Sequence, residues 1–168
     1  RDLLAAIGLQ EVVTYRMTSP ERESRMVTHN EYVRIANPIA PERSVLRQSL
    51  LASVLEVVEK NAKAESIAMF EVGSIFEPVK NDLPNEPREL AIVMTGSRLV
   101  SAWDVKDSPN FDFFDMKGRL ELLLSGLRLT DISYAVTEST PYLHPGKAAE
   151  VKVSGKVVGV FGELHPLS

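Results

Sequence analysis

Three histidines are the starting point for chemistry in a chain that has no cysteine. His144 and His165 each precede a proline. Proline holds the residue before it in extended geometry, so both imidazoles are aimed in defined directions. Glu163 and His165 lie two apart and project to one face of an extended strand. One reading makes His144, Glu163 and His165 a metal site or an acid–base pair, the basis of a metal-dependent hydrolase. The other gives both His-Pro pairs structural hydrogen bonds at strand ends. The spacing matches no established ligand motif, which favours the structural reading. His29, beside Asn30 and Glu31, reads as a solvated residue.

Other chemistries find less support. Without cysteine there is no disulfide, thiolate zinc site or thiol nucleophile. Gly155, Gly159 and Gly162 fall in a hairpin rather than a strand-to-helix loop, so they read as turn and close-packing glycines, not a phosphate cradle. Asp112, Asp115 and Lys117 suit the first turn of a helix, where acids complement the dipole. No carboxylate pair has a glycosidase spacing, and there is no nucleophile-elbow motif. The net charge of -4 comes with scattered Lys and Arg, giving no electrostatic case for a nucleic-acid surface. No apolar run approaches the roughly 20 residues that cross a bilayer. These residues therefore predict no catalytic group, no cofactor and no metal of the chain's own.

The elements that would position such residues can be read from periodicity. Leu3, Leu4 and Ile7 share a helical face that Gly8 terminates. Val12 to Met17 reads as a strand with Val13, Tyr15 and Met17 on one side. Ser19-Pro20-Glu21 starts a short helix, and Tyr32 to Ala36 is a second strand. Leu46, Leu50, Leu51, Val54, Leu55 and Val58 form the strongest helix signal, with Ser44 and Ser49 as possible N-caps. Ile67 to Val72 is a strand that Ser74 to Val79 continues or pairs with. Leu90 to Thr95, apolar on both faces, is expected to be central in the sheet. Phe113, Met116, Leu120, Leu123 and Leu127 make a second helix capped by Asp112. Ile132, Tyr134 and Val136 form a half-buried strand. Ala149 to Val153, the Ser154-Gly155 turn and Lys156 to Leu164 form a final hairpin. Short turns between strands favour antiparallel pairing, and the order is that of an α+β fold. The chain opens on Arg1-Asp2-Leu3-Leu4 within a helix and stops at His165-Pro166-Leu167-Ser168 after a strand. Residues 1–168 are therefore expected to be one domain, truncated at both ends.

Several stretches, in order and across nearly the whole chain, resemble one family. They are Gly8 to Tyr15 with Thr18-Ser19-Pro20, then Ala36-Asn37-Pro38-Ile39-Ala40-Pro41-Glu42-Arg43-Ser44-Val45-Leu46-Arg47, and Phe70-Glu71-Val72-Gly73-Ser74-Ile75-Phe76. Phe113-Phe114-Asp115-Met116-Lys117-Gly118, Leu143-His144-Pro145-Gly146-Lys147-Ala148-Ala149 and Gly159 to Pro166 complete the set. Together they are similar to the synthetase-like core of the bacterial phenylalanyl-tRNA synthetase β-subunit family. The resemblance implies a class II aminoacyl-tRNA-synthetase-like antiparallel sheet flanked by helices. It implies a cytoplasmic (αβ)₂ enzyme that attaches phenylalanine to its tRNA with ATP and magnesium, the α subunit carrying the active site and tRNA held by other parts of the holoenzyme.

Class II catalysis, by the same resemblance, needs one arginine near the ATP α-phosphate and another at a later helix start, because positive charge stabilises the phosphorus centre. Here Glu71 or Glu77 stands at the first position, and Arg128 is the last arginine of the chain. The implied role is a non-catalytic scaffold, with Leu3, Leu4, Val13, Tyr15 and Met17 as candidate contacts to the α subunit. The competing reading is a competent class II-like adenylating or ATP-binding domain.

Overall fold

Apolar residues three and four apart make the helices, and single residues at their ends decide where they stop. The computed structural model describes residues 1–26, 31–105, 108–137 and 140–166, so His29 lies outside the described residues. In chain order the elements are α1 (Asp2–Ala6), β1 (Gln10–Glu11), β2 (Met17–Thr18), α2 (Pro20–Glu23), a 3₁₀ turn (Pro41–Arg43), β3 (Val45–Leu46), α3 (Leu51–Lys60), β4 (Ser66–Ser74), β5 (Arg88–Gly96), α4 (Phe113–Gly126), β6 (Ile132–Val136), β7 (Leu143–Val153) and β8 (Lys156–Leu164). They divide into two compact units. The first holds Arg1 and residues 9–93, and the second holds residues 2–8 and the chain from Met94 onward.

In the first unit β4 lies between β1 and β5. β1 runs parallel to β4, with Gln10 opposite Met69 and Glu11 opposite Phe70. β2 and β3 pair antiparallel, Met17 with Leu46 and Thr18 with Val45. Val54 of α3 and Ile67 and Met69 of β4 form a buried cluster, with Val12, Val57, Val58, Ala91 and Val93 packed against it. Each fully buried aliphatic side chain in such a cluster contributes about 1.5–3 kcal/mol.

Four sequence expectations change here. The long helix begins at Leu51 rather than Leu46, because the backbone at 45–47 is committed elsewhere: Arg47 N donates to Arg16 O and Phe76 N donates to Arg47 O. Ser49 does serve the helix start, its Oγ accepting from Leu51 N at 3.0 Å. Ser44 instead accepts through its carbonyl from Ile35 N. The strand expected over Tyr32 to Ala36 reduces to an antiparallel bridge between Arg34 and Val45. That expected over Val12 to Met17 shrinks to short pairings on either side of an irregular stretch. β5 sits at the edge of its sheet and β4 holds the centre. Apolar composition on both faces could not distinguish these positions, since strand order is set by pairing partners far away in sequence.

The second unit follows its sequence more closely. Gly8 takes φ +85 just past α1, the left-handed conformation that suits glycine. α4 opens with a reciprocal capping box between Asp112 and Asp115. β6, β7 and β8 form an antiparallel meander. Ser154 and Gly155, at φ +49 and +74, make the mirror-image turn that matches strand twist. Leu124, Ala149, Val151 and Phe161 are buried together, with Phe113, Met116, Leu120, Ile132 and Tyr134 packed against them. A Cβ at Gly162 would collide with Lys147 O and with Ala148, so glycine permits the close β7–β8 approach. The protein is an α+β fold with antiparallel pairing in β2–β3 and β6–β8 and parallel pairing in β1–β4.

Candidate functional site

The stretch between β1 and β2 is shaped by one side chain that turns inward. Val12 N still donates to Phe70 O at 2.8 Å, so the chain follows β4 to that point. At the next inward position, Thr14 Oγ1 donates to Glu71 Oε2 at 2.6 Å and accepts from Arg47 Nη1 at 2.8 Å. The hydroxyl can do both because it is a donor and an acceptor at once. In an extended chain the neighbours of an inward residue point outward. Val13 and Tyr15 are accordingly 84% and 66% exposed. The Arg43 guanidinium lies over the Tyr15 ring, 3.8 Å from its centroid, a stacking that holds the ring while leaving it open to solvent.

Beneath this stretch is a buried ion pair. Arg47 and Glu71 are each 2% exposed. Arg47 Nη1 donates to Glu71 Oε1 at 2.8 Å, and Nε donates to Ser74 O at 3.0 Å. A charge inside a protein is tolerated only when paired and hydrogen-bonded, and removing one partner strands the other. The site leaves no spare room: a Cβ at Gly73 would collide with Arg47 Nη2. One guanidinium thus ties together the Thr14 stretch, the middle of β4 and the chain leaving β4.

A second buried carboxylate orders the approach to α3. Glu23 is 0% exposed, and its Oε2 accepts from Gln48 N at 2.9 Å and Ser49 N at 3.2 Å. Burial pushes its pKa up from the ordinary carboxylate value, opposed by those two N–H groups and by the charges of Arg47 and Arg22. Arg22 also pairs with Glu56 of α3 at 2.8 Å.

The residues singled out from sequence separate into different settings. Leu4 is packed inside its unit at 3% exposure, Leu3 meets Gly126 at the end of α4, and Met17 is half-buried in β2. Val13 and Tyr15 face solvent. The His144 and His165 rings lie near one another, centroids 6.3 Å apart. Glu163, however, is taken by Lys147 Nζ at 2.6 Å, and His144 Nδ1 accepts from Gly146 N at 3.1 Å. Among the described residues no group of three His, Asp or Glu side chains is arranged to hold a metal. Asp115 and Lys117 are likewise occupied, Asp115 in the cap and Lys117 with Glu121 at 3.6 Å. Among the described residues no helix is long and apolar enough to cross a membrane.

The Arg47–Glu71 pairing did not emerge from sequence reasoning. Its signal was a lone acid inside the apolar run Met69-Phe70-Glu71-Val72, which demands a buried cation from elsewhere in the chain.

Comparison with known proteins connects this geometry to a family. The family described as the phenylalanyl tRNA synthetase beta chain CLM domain matches residues 1–168. The phenylalanine–tRNA ligase beta subunit of Bacillus thuringiensis subsp. konkukian is 42% identical over 173 residues, covering 99% of this chain and 21% of that protein. The corresponding subunit of Moorella thermoacetica is 36% identical over 173 residues, with 99% and 21% covered. The chain spans about a fifth of the length of these curated relatives. Among solved structures, the pyrrolysyl tRNA synthetase PylSc of Desulfitobacterium hafniense superposes with a TM-score of 0.66 at 14% identity, covering 95% of this chain and 54% of that one. A second structure of pyrrolysyl-tRNA synthetase from that organism gives 0.64 at 15%, with 93% and 55% covered. At that identity the likeness is one of fold, and the fold is class II synthetase-like.

Proposed function

The chain belongs to the phenylalanyl-tRNA synthetase β-chain family, and on that premise we propose that residues 1–168 are one non-catalytic core module of the β subunit. Its role is to support the catalytic α subunit in a cytoplasmic (αβ)₂ enzyme that joins phenylalanine to its tRNA. The observation that carries this reading is the state of Glu71. Glu71 is one of the two acids, with Glu77, that the class II resemblance sets where an arginine would face the nucleotide; it is a buried carboxylate, and the guanidinium beside it bonds internally to Glu71, Thr14 and Ser74. A phosphate needs a positive charge free to face it. These residues do not fit an ATP and magnesium site, and both belong, on this reading, to the α subunit.

The same pairing supports the scaffold reading. By drawing Thr14 inward it presents Val13 and Tyr15 outward on a braced stretch, an arrangement that suits a protein contact. The test is to co-express a complete β chain carrying this sequence with the α chain and measure the assembly by size-exclusion chromatography with light scattering. The expected result is a stable complex that Val13→Asp with Tyr15→Asp weakens by roughly tenfold or more. Unchanged assembly of the double variant would remove Val13 and Tyr15 from the interface. Stoichiometric ATP binding by the β chain alone, lost on Arg47→Met, would replace the scaffold reading with the adenylating one.

A further inference from the structure

Within the second unit, the end of α4 and the start of β6 border an open hollow of about 540 Å³. The helix closes with two backbone bonds: Arg128 N donates to Ser125 O at 2.8 Å, and Leu129 N donates to Leu124 O at 3.0 Å. Such a closure places one residue in the left-handed region, a position that usually goes to glycine. Here it is Arg128, at φ +57. A side chain is disfavoured there because its Cβ crowds the backbone. Asp131, the other left-handed residue between α4 and β6, at φ +56, is of a type that tolerates the conformation. Arginine is not, so ending the helix does not account for it.

The Arg128 side chain borders the hollow and makes no hydrogen bond or ion pair among the described residues. The opposite charge in the lining is Glu121, which Lys117 Nζ approaches only to 3.6 Å. A carboxylate and a guanidinium thus line one hollow without pairing. Tyr134 supplies a third group. Its Oη is buried without a hydrogen-bond partner among the described residues. Burial, then the charge of Glu121, pushes the phenol pKa up, so it remains a donor. The neighbouring charges are Lys117, with Nζ 5.1 Å from the Tyr134 ring centroid, and the exposed Asp131. Ser125 and Thr130 add hydroxyls, and Leu129 and Ile132 an apolar wall. A few placed polar groups beside an apolar wall are the make-up of a small-molecule site. A simple anion would meet Glu121 there, and a simple cation would meet Arg128. A molecule carrying both charges satisfies both groups, since a guanidinium takes a carboxylate through paired N–H bonds and a carboxylate accepts from an ammonium.

We propose that this hollow binds a free α-amino acid with an apolar side chain, Arg128 taking its carboxylate, Glu121 its ammonium, and Leu129 and Ile132 its side chain. The site stands apart from the scaffold reading and survives or fails without it. The test uses the complete β chain and a leucine whose side chain carries a photoreactive diazirine. Irradiation and peptide mapping are expected to place label within residues 121–134, and excess leucine to suppress it. Isocaproate and isoamylamine, which each lack one of the two charges, are expected to compete roughly tenfold less well. Arg128→Gln and Glu121→Gln are each expected to cut labelling of this segment roughly tenfold or more. Arg128→Gly separates binding from structure: it is expected to lose the label and yet slow hydrogen exchange at the end of α4, because glycine relieves the left-handed position. Label confined to other segments, or label here that persists in Arg128→Gln and Glu121→Gln, overturns the site. Isocaproate competing as well as leucine overturns the amino-acid ligand in favour of a plain carboxylate.

Discussion

Arg47 and Arg98 make nearly the same bonds in opposite surroundings. Arg47 lies 2.8 Å from Glu71 with both side chains almost wholly buried, whereas Arg98 lies 2.7 and 2.8 Å from Asp112 and Asp115 with its side chain 38% exposed. Distance alone would rank them together. Solvent separates them, because water screens the exposed set and supplies alternative partners that the buried pair lacks. Their carboxylates differ in the same way. Burial raises the pKa of Glu23 beside Arg47. Burial also pushes Asp115 up, but the Asp112 N–H and Arg98 outweigh it and hold that carboxyl below its usual range. One region uses charge to lock a core, and the other uses it to tie the chain after β5 to the start of α4.

The sharpest way to break this comparison is a double-mutant cycle on the buried pair. Arg47→Met and Glu71→Leu are each expected to cost about 3–5 kcal/mol in urea unfolding, because each strands a buried charge. The double variant should recover most of that loss, so additive costs would show that the two residues do not act as a pair.

Glu23→Gln gives the next largest effect. The folded protein holds the Glu23 proton more tightly than the unfolded chain does. Its contribution to stability is therefore full below the ordinary carboxylate pKa and declines as pH rises through the raised value. Stability measured from about pH 5 to pH 8 should fall less steeply in the variant, since glutamine keeps an acceptor for Gln48 N and Ser49 N without an ionisation. An unchanged slope would place Glu23 outside the titration. Arg98→Ala should have the smallest effect on the melt, vanishing in high salt as expected of an exposed pair. An equal loss at low and high salt would move Arg98 into the same category as Arg47.

Legibility from sequence followed the range of the interactions. Asp112 at the start of α4, Gly8 after α1 and the Ser154-Gly155 turn each act within a few residues, and each was read correctly. The spacing of Leu46 from Leu50 matches helical periodicity, yet its backbone pairs with Met17, far away in sequence. Of Val13, Tyr15 and Met17, expected on one side of a strand, Val13 and Tyr15 face solvent while Met17 is half-buried in β2, because the strand is replaced by a stretch whose Thr14 serves Glu71. The segment between β5 and α4 was legible only as a mixed stretch containing the single tryptophan. Its brace depends on Arg98 meeting two acids at a helix start 14 and 17 residues later, a relation no local pattern encodes.

The separations bridged at the Arg47 site bear on how the chain folds. Its side-chain bonds join residues 24, 27 and 33 apart, and the Thr14–Glu71 bond joins residues 57 apart. Each contact closes a long loop, whose entropic cost precedes any reward. Such long-range contacts are expected to form late, once β4 and the segments beside it have come together. Interactions that form after the rate-limiting step leave the folding rate nearly untouched and act on the reverse one. The buried pair is therefore expected to act as a kinetic bolt: Arg47→Met should speed unfolding more than it slows folding, which the two arms of a chevron plot separate.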